Sequence, residues 1–153
     1  MKSKFKKFLE GNKFYPLSDS SWNTFELYHG YQKYKRRNYL KIKKNVRGKR
    51  GIYVYEKDGV ILYVGKGNPV YSRIKGHYRA SFEKVPGDTK YNTWHVFFSK
   101  YCGKVKIYWK ELEDERVRRI IEQMLTYVLE PSFEYFRKEY ESKNVRENKS
   151  LKT

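Results

Sequence analysis

A short stretch in the middle of the chain, residues 51–77, carries the side chains that could do chemistry. It reads GIYVYEKDGVILYVGKGNPVYSRIKGH and combines tyrosines with a glycine-rich turn, a lysine, an arginine and a histidine. Phenols can orient or deprotonate a water molecule, and cationic side chains can hold a phosphodiester. The stretch therefore predicts a cationic, phenol-lined cleft for a phosphate ester, provided that a carboxylate for a metal ion comes from elsewhere in the chain.

Two of the tyrosines, Tyr53 and Tyr63, could be brought together by one hairpin. Residues 51–56 and 60–65 are rich in Ile, Val and Tyr, and they flank Asp58-Gly59, a strong signal for a two-residue turn. Such a turn would set Tyr53 near Tyr63 or Val64, depending on the register. Since the chain has 16 tyrosines, packing alone explains any one of them more readily than chemistry does.

The basic side chains follow on a predicted helix, residues 69–82, which begins just after Gly65-Lys66-Gly67. Arg73 and His77 are four residues apart, so they would share one face of this helix. A helix N-terminus preceded by glycines attracts anions, and Lys66 would add a point charge there. The planar guanidinium of Arg73 suits a pair of phosphate oxygens.

The carboxylate for a divalent metal ion is expected on a second helix. Between residues 113 and 130 apolar residues recur at helical spacing, and Pro131 ends the pattern. Glu122 lies at the margin of this apolar stripe, so its carboxylate could face a cleft beside the core. The acidic residues at the start of the helix favour the helix dipole and need no other explanation.

The remaining elements complete an α+β domain. Residues 90–101 predict a short helix, residues 104–112 alternate like a half-buried strand, and residues 132–141 predict another short helix. Together with the hairpin, this gives a small three-stranded antiparallel sheet flanked by helices. The domain would span residues 51–141, with a loop at 86–88 and a flexible polar tail at 142–153.

Residues 1–50 are predicted to form a strongly basic extension. They hold 15 Lys/Arg against 3 Asp/Glu, in a chain whose formal net charge is +18. We expect a loose arm over residues 1–18 and, from Asp19 or Ser20, a helix over at least the first half of the stretch that ends near residue 46. Because each phosphate that a Lys or Arg neutralises releases a counterion, this charge indicates a nucleic-acid partner. A solvated helix that covers the core is the alternative for its individual lysines.

The cysteine count and the hydropathy exclude several classes of protein. Cys102 is the only cysteine, which excludes an intrachain disulfide and a thiolate cluster for zinc. No apolar run approaches the length of a signal-peptide core or a membrane span. The expectation is a cytoplasmic protein without a membrane partner.

The order of these residues resembles the GIY-YIG nuclease family. Gly51-Ile52-Tyr53 is followed ten residues on by Tyr63-Val64-Gly65, and then by Lys66, Arg73, His77 and the helical Glu122. The resemblance extends from residue 51 to about residue 131. It implies the α+β fold described above and hydrolysis of DNA phosphodiester bonds with a single divalent metal ion, Mg²⁺ or Mn²⁺.

The resemblance also implies a role for each site residue. Tyr53 would contact or activate the attacking water with support from Tyr63, and Lys66 would help to lower the pKa of the nucleophile. Arg73 would stabilise the scissile phosphate, His77 would assist in the cationic pocket, and Glu122 would bind the metal.

One position departs from the family pattern. Many members carry an asparagine shortly after the proline that follows the catalytic glutamate, whereas this chain reads Pro131-Ser132-Phe133-Glu134 and has its next asparagine at Asn144. Either the site does without that residue, or Glu134 takes part, or the local packing differs.

Two functions are therefore weighed. The first is a divalent-metal-dependent endodeoxyribonuclease, a compact stand-alone enzyme of the restriction or phage type, and the alternative is a non-catalytic nucleic-acid-binding module. Since one active site cuts one strand, a double-strand cutter would act as a homodimer or by two successive nicks.

Overall fold

The structure, a computed structural model, describes residues 1–84 and 87–151, with side chains as far as residue 146. The elements in these ranges are α1 (Lys2–Gly11), β1 (Asn23–His29), a 3₁₀ turn (Gln32–Tyr34), α2 (Lys35–Val46), β2 (Gly51–Lys57), β3 (Val60–Gly67), α3 (Val70–Ala80), α4 (Thr89–Phe98), β4 (Gly103–Glu111), α5 (Glu115–Leu129) and α6 (Ser132–Leu151). The predicted loop at 86–88 begins at Pro86, which lies outside the described residues. No helix among the described residues is both long and apolar enough to cross a lipid bilayer.

The predicted antiparallel sheet with flanking helices is confirmed, but the prediction of three strands is wrong. The described residues form one antiparallel sheet of four strands in the order β1-β4-β2-β3. The additional strand, β1, lies where the sequence predicted the start of a helix. Phe25, Leu27 and His29 are buried at alternating positions of β1. The buried side chains therefore repeat every two residues, as in a strand, rather than every three.

The prediction of a loose N-terminal arm is also wrong. Residues 2–11 form α1, whose Leu9 is fully buried in a cluster with Ile121 and Leu125 of α5. The ring of Phe5 also meets Tyr127 of α5, with 5.6 Å between centroids. Both α1 and β1 pack against elements of residues 51–141, and the division of the chain at residue 50 stays a prediction.

The two faces of the sheet bury two apolar clusters. One face packs against α2, α3, α4 and the start of α6, through residues such as Ile42, Ile74, Phe98 and Phe133. The other face packs against α1 and α5. At the far end of the chain α6 continues to Leu151, whereas the sequence predicted a flexible tail from residue 142.

The β2–β3 hairpin forms at the predicted Asp58-Gly59 turn. Both turn residues have positive φ, 50° and 81°, which is the requirement of a type I′ connection. The register pairs Tyr55 with Tyr63, and then shifts so that Leu62 is an extra residue on β3. The residue paired with Tyr53 is Gly65, so the predicted partners Tyr63 and Val64 are wrong for the register, but the predicted nearness of Tyr53 to Tyr63 is confirmed.

This pairing allows the ring of Tyr53 to lie over Gly65. A Cβ atom at position 65 would be 2.5 Å from both the Cζ atom and the hydroxyl oxygen of Tyr53, well inside van der Waals contact. The glycine of the YVG motif is therefore required by the tyrosine of the GIY motif. The two motifs are one packing unit across two strands.

We predict that Gly65→Ala lowers the free energy of unfolding by about 1–3 kcal/mol, because the added methyl group displaces the fully buried Tyr53 ring. Chemical denaturation followed by circular dichroism measures the change. Gly76→Ala is the matched control: a Cβ at Gly76, within α3, meets nothing within 4 Å. The control should stabilise the protein by up to about 1 kcal/mol, because alanine is the better helix former. Equal stability of Gly65→Ala and the unmodified protein would contradict the packing.

Candidate active site

The predicted site residues lie around β3, the edge strand of the sheet. Tyr63 and Gly65 face the same cluster as Tyr53, towards α3 and α4. Lys66, by the alternation of the strand, lies on the face of Val64, where α5 carries Glu122. The site therefore gathers side chains from both faces of the sheet around one edge.

Tyr53 and Tyr63 stack with their ring centroids 6.1 Å apart. Neither hydroxyl makes a hydrogen bond to another described residue. Burial raises the pKa of Tyr53 well above its usual value and raises the pKa of Tyr63 to about 12, against the smaller opposing effect of Arg73. Both phenols are therefore neutral at physiological pH, and suited to orient a water molecule rather than to take its proton as phenolates.

His77 is fully buried behind the two phenols. Its Nδ1 atom and the hydroxyl of Tyr55 are 2.8 Å apart, and its ring meets Tyr63 and Trp94 edge-on, at 4.7 and 4.4 Å between centroids. Burial drives the pKa of His77 well below its usual value, so the ring is neutral. His77 thus adds no positive charge to the site, and its expected part in the cationic pocket stays a prediction. Arg73, one turn earlier on α3, is exposed to solvent.

Glu122 is half-buried on α5, at the rim of the same site. Burial raises the pKa of its carboxyl group, Lys66 and Arg73 act to lower it, and Glu134 acts to raise it further. Within the described residues Glu122 has no ion pair, although both basic residues are close enough to influence its titration. A carboxylate that burial destabilises and no counter-charge contacts is a favourable position for a cation.

The donor set fits a hard divalent cation. No group of three or more His, Cys, Asp or Glu side chains is gathered at a metal-binding spacing in the described part of the chain. Mg²⁺ keeps several of its waters and uses one or two carboxylates together with phosphate oxygens of the substrate. Glu122 supplies such a carboxylate, and the thiolate and imidazole ligands that zinc prefers are not assembled around it.

Sequence reasoning missed two cations beside the site, Lys90 and Arg137. Burial lowers the pKa of Lys90, with further lowering by the charges of Arg73 and Lys66, so the three cations share one electrostatic environment. Arg137 donates to Glu134 at 3.0 Å, and both influence the pKa of Tyr63. No spacing signal could have revealed Lys90, because the packing of α4 against α3 brings it to the site.

Comparison with solved structures finds similarity to the GIY-YIG N-terminal endonuclease domain of UvrC from Thermotoga maritima. That domain bound to magnesium, its catalytic divalent cation, is 20% identical, with 61% of this chain and 94% of that chain covered and a TM-score of 0.41. Two tyrosine-to-phenylalanine mutants of the domain, each bound to its catalytic divalent cation, also match with the same TM-score. One is 20% identical, with 61% of this chain and 93% of that chain covered. The other is 19% identical, with 61% of this chain and 94% of that chain covered. No protein-family model and no curated protein sequence matches the chain. At this level the likeness carries no functional argument.

A second buried histidine, His29 of β1, lies behind the site against Tyr55, Tyr78 and Phe98. Neither of its ring nitrogens has a hydrogen-bond partner among the described residues, and burial lowers its pKa to about 3. An unfolded histidine binds a proton below about pH 6.5. Between pH 6.5 and about 3 the unfolded state therefore binds a proton that the folded state does not, and stability falls as the pH falls.

We predict that His29→Leu flattens this acid dependence. The slope of the unfolding free energy between pH 6 and pH 4 should decrease by about 1.4 kcal/mol per pH unit, the value for one proton. Urea unfolding at several pH values measures the slope. Above pH 7 the curves of the variant and the unmodified protein should run parallel. An unchanged slope below pH 6 would show that His29 is not held neutral by burial.

Proposed function

We propose that this chain is a GIY-YIG nuclease that hydrolyses phosphodiester bonds of DNA with one divalent metal ion, Mg²⁺ or Mn²⁺. One observation carries the proposal. At one sheet edge lie two phenols whose hydroxyls bond to no described residue, the cations Lys66 and Arg73, and the half-buried carboxylate of Glu122, which forms no ion pair with a described residue. Phosphodiester hydrolysis needs these three kinds of group together: cations for the phosphate, oxygens that orient water, and a carboxylate for a metal.

The cations of the site would bind the substrate phosphate. The exposed guanidinium of Arg73 can donate to two non-bridging oxygens, and Lys66 adds a point charge on the opposite side of the edge strand. The chain as a whole carries a formal net charge of +18. This charge attracts a DNA backbone from a distance and makes the association sensitive to salt.

The phenol oxygen of Tyr53 would accept a hydrogen bond from the attacking water and hold it in line with the phosphorus atom. Tyr63, stacked on Tyr53, fixes the orientation of that ring. Glu122 would hold the divalent ion, with Glu134 as a neighbouring carboxylate that influences its titration. When bound, the ion would supply Lewis-acid stabilisation of the charge that develops on the phosphate oxygens.

We predict that Tyr53→Phe and Tyr55→Phe have opposite consequences. The Tyr53 hydroxyl bonds to no described residue, so its loss should leave the melting temperature unchanged and slow DNA cleavage by about 10²–10⁴-fold. The Tyr55 hydroxyl bonds to the buried His77, so its loss should cost about 1–3 kcal/mol of stability. Thermal melts and single-turnover cleavage rates separate the two effects. Full activity of Tyr53→Phe would remove the phenol from the mechanism.

We predict that Glu122→Gln abolishes cleavage of supercoiled plasmid in Mg²⁺, which EDTA should also stop in the unmodified protein. Because the pKa of Glu122 is raised in the folded state, ionisation of this carboxyl group lowers the free energy of unfolding at pH values above that pKa. The metal-free variant should therefore melt at a higher temperature at pH 7 than the unmodified protein does. Mg²⁺ should stabilise the unmodified protein and leave the variant unaffected.

Glu139→Gln, at an exposed carboxylate of α6, is the matched control and should behave as the unmodified protein does. Because one site cuts one strand, nicked circles should appear before linear DNA. Cleavage by Glu122→Gln at the normal rate would contradict the site. Salt-sensitive DNA binding with no cleavage in any divalent metal would instead favour a non-catalytic nucleic-acid-binding module.

A further inference from the structure

A second concave site lies beside the sheet edge, between α4 and α6. This cavity has a volume of about 600 Å³, within the range of about 300–1,000 Å³ that is usual for small-molecule sites. Four aromatic rings line it, together with two cations and the carboxylate of Glu141. The main contributors are Tyr63, Lys90, Trp94, Phe133, Arg137 and Tyr140.

The cavity adjoins the proposed phosphate site. Tyr63 belongs to both, since its ring lines the cavity and also stacks on Tyr53. Lys90 also links the two, because its pKa responds to the charges of Arg73 and Lys66 while its ammonium lies 5.2 Å from the centre of the Trp94 ring in the cavity wall. A group that enters the cavity would therefore remain close to a phosphate held by Arg73.

The lining suits a flat aromatic ring that is attached to an anion. Aromatic side chains stack on any nucleobase because every base has a π-face, and cations beside the stack bind the connecting phosphates. The walls supply four aromatic rings, and Lys90 and Arg137 supply the cations. Polar groups of Thr93 and Asn144 also line the cavity and could bond to a base edge.

We propose that this cavity binds one unstacked nucleobase of the DNA strand whose phosphate is held at the β3 edge. The inference rests on the proposed function and adds a substrate class, DNA with an unpaired nucleotide next to the scissile phosphate. A base inside a duplex cannot reach a cavity between two helices without leaving the stack. The cost of leaving is smallest for a base that is already unpaired.

Abasic scanning tests the cavity by binding alone. The Glu122→Gln protein, which we expect not to cut, is titrated in EDTA with a labelled single-stranded oligonucleotide and with copies that each carry one abasic site. One abasic position, or a short run of them, should weaken binding by about 5- to 150-fold, the range for loss of one stacked base. Abasic sites elsewhere should have little effect.

The same scan with Tyr140→Ala added makes the test specific to the cavity. Tyr140→Ala should weaken binding of the intact oligonucleotide. In that variant, an abasic site at the sensitive position should reduce the affinity little further, because both changes remove the same stacking interaction. Tyr135→Ala is the matched control, since Tyr135 is an exposed tyrosine of α6 outside this cavity and should leave the scan unchanged. Tyr140→Leu keeps apolar packing on Phe136 and should repeat the result if Tyr140→Ala does not fold.

Cleavage by the unmodified protein is the second arm of the experiment. A duplex with unpaired nucleotides beside the cut should be cleaved at least about tenfold faster than the same duplex fully paired. Cleavage without this preference, and without coupling between Tyr140 and an abasic position, would overturn the nucleobase site and leave the nuclease proposal intact. Coupling without any cleavage would support the nucleobase site and overturn the nuclease proposal.

Discussion

The packing of Tyr53 over Gly65 is the constraint on which the rest of the site depends. The ring occupies the space that a side chain at position 65 would fill, so the observed register of β2 and β3 requires glycine at that position. The same register pairs Tyr55 with Tyr63, two residues further along each strand. The extra residue at Leu62 places Tyr63 on the same face of the sheet as Tyr53 and Tyr55. The phenols therefore meet because of one missing Cβ atom.

The edge position of β3 explains how groups of opposite chemistry share one site. Phenols and the neutral His77 come from the buried, aromatic face, whereas Lys66 and Glu122 come from the face covered by α5. The buried face supplies rigidity and low polarity, so its titratable groups stay neutral. The charges stand at the rim, where solvent, a metal ion and a phosphate can reach them.

The sequence predicted those parts of the molecule that local signals determine. The Asp58-Gly59 turn, the half-buried strand that contains Ile107 and the helix that carries Glu122 all depend on short-range patterns. Strand β1 was missed because the spacing of its aromatic residues resembles that of a helix. What makes the segment a strand is its pairing with β4, which lies some eighty residues away in the sequence. The neutrality of His77 and the approach of Lys90 are likewise tertiary effects, since they follow from burial and from the packing of α4 against α3.

The position of a bound metal ion relative to the phenols and the phosphate tests whether Glu122, Arg73 and Tyr53 act on one phosphodiester. Crystals of the protein with Mn²⁺ and a DNA strand that resists cleavage would give that position from anomalous scattering. We predict one Mn²⁺ ion on the carboxylate of Glu122, with the phosphate between the ion and Arg73 and the hydroxyl of Tyr53 facing the phosphorus atom. Mn²⁺ bound away from Glu122, or a phosphate bound away from the β3 edge, would contradict the account.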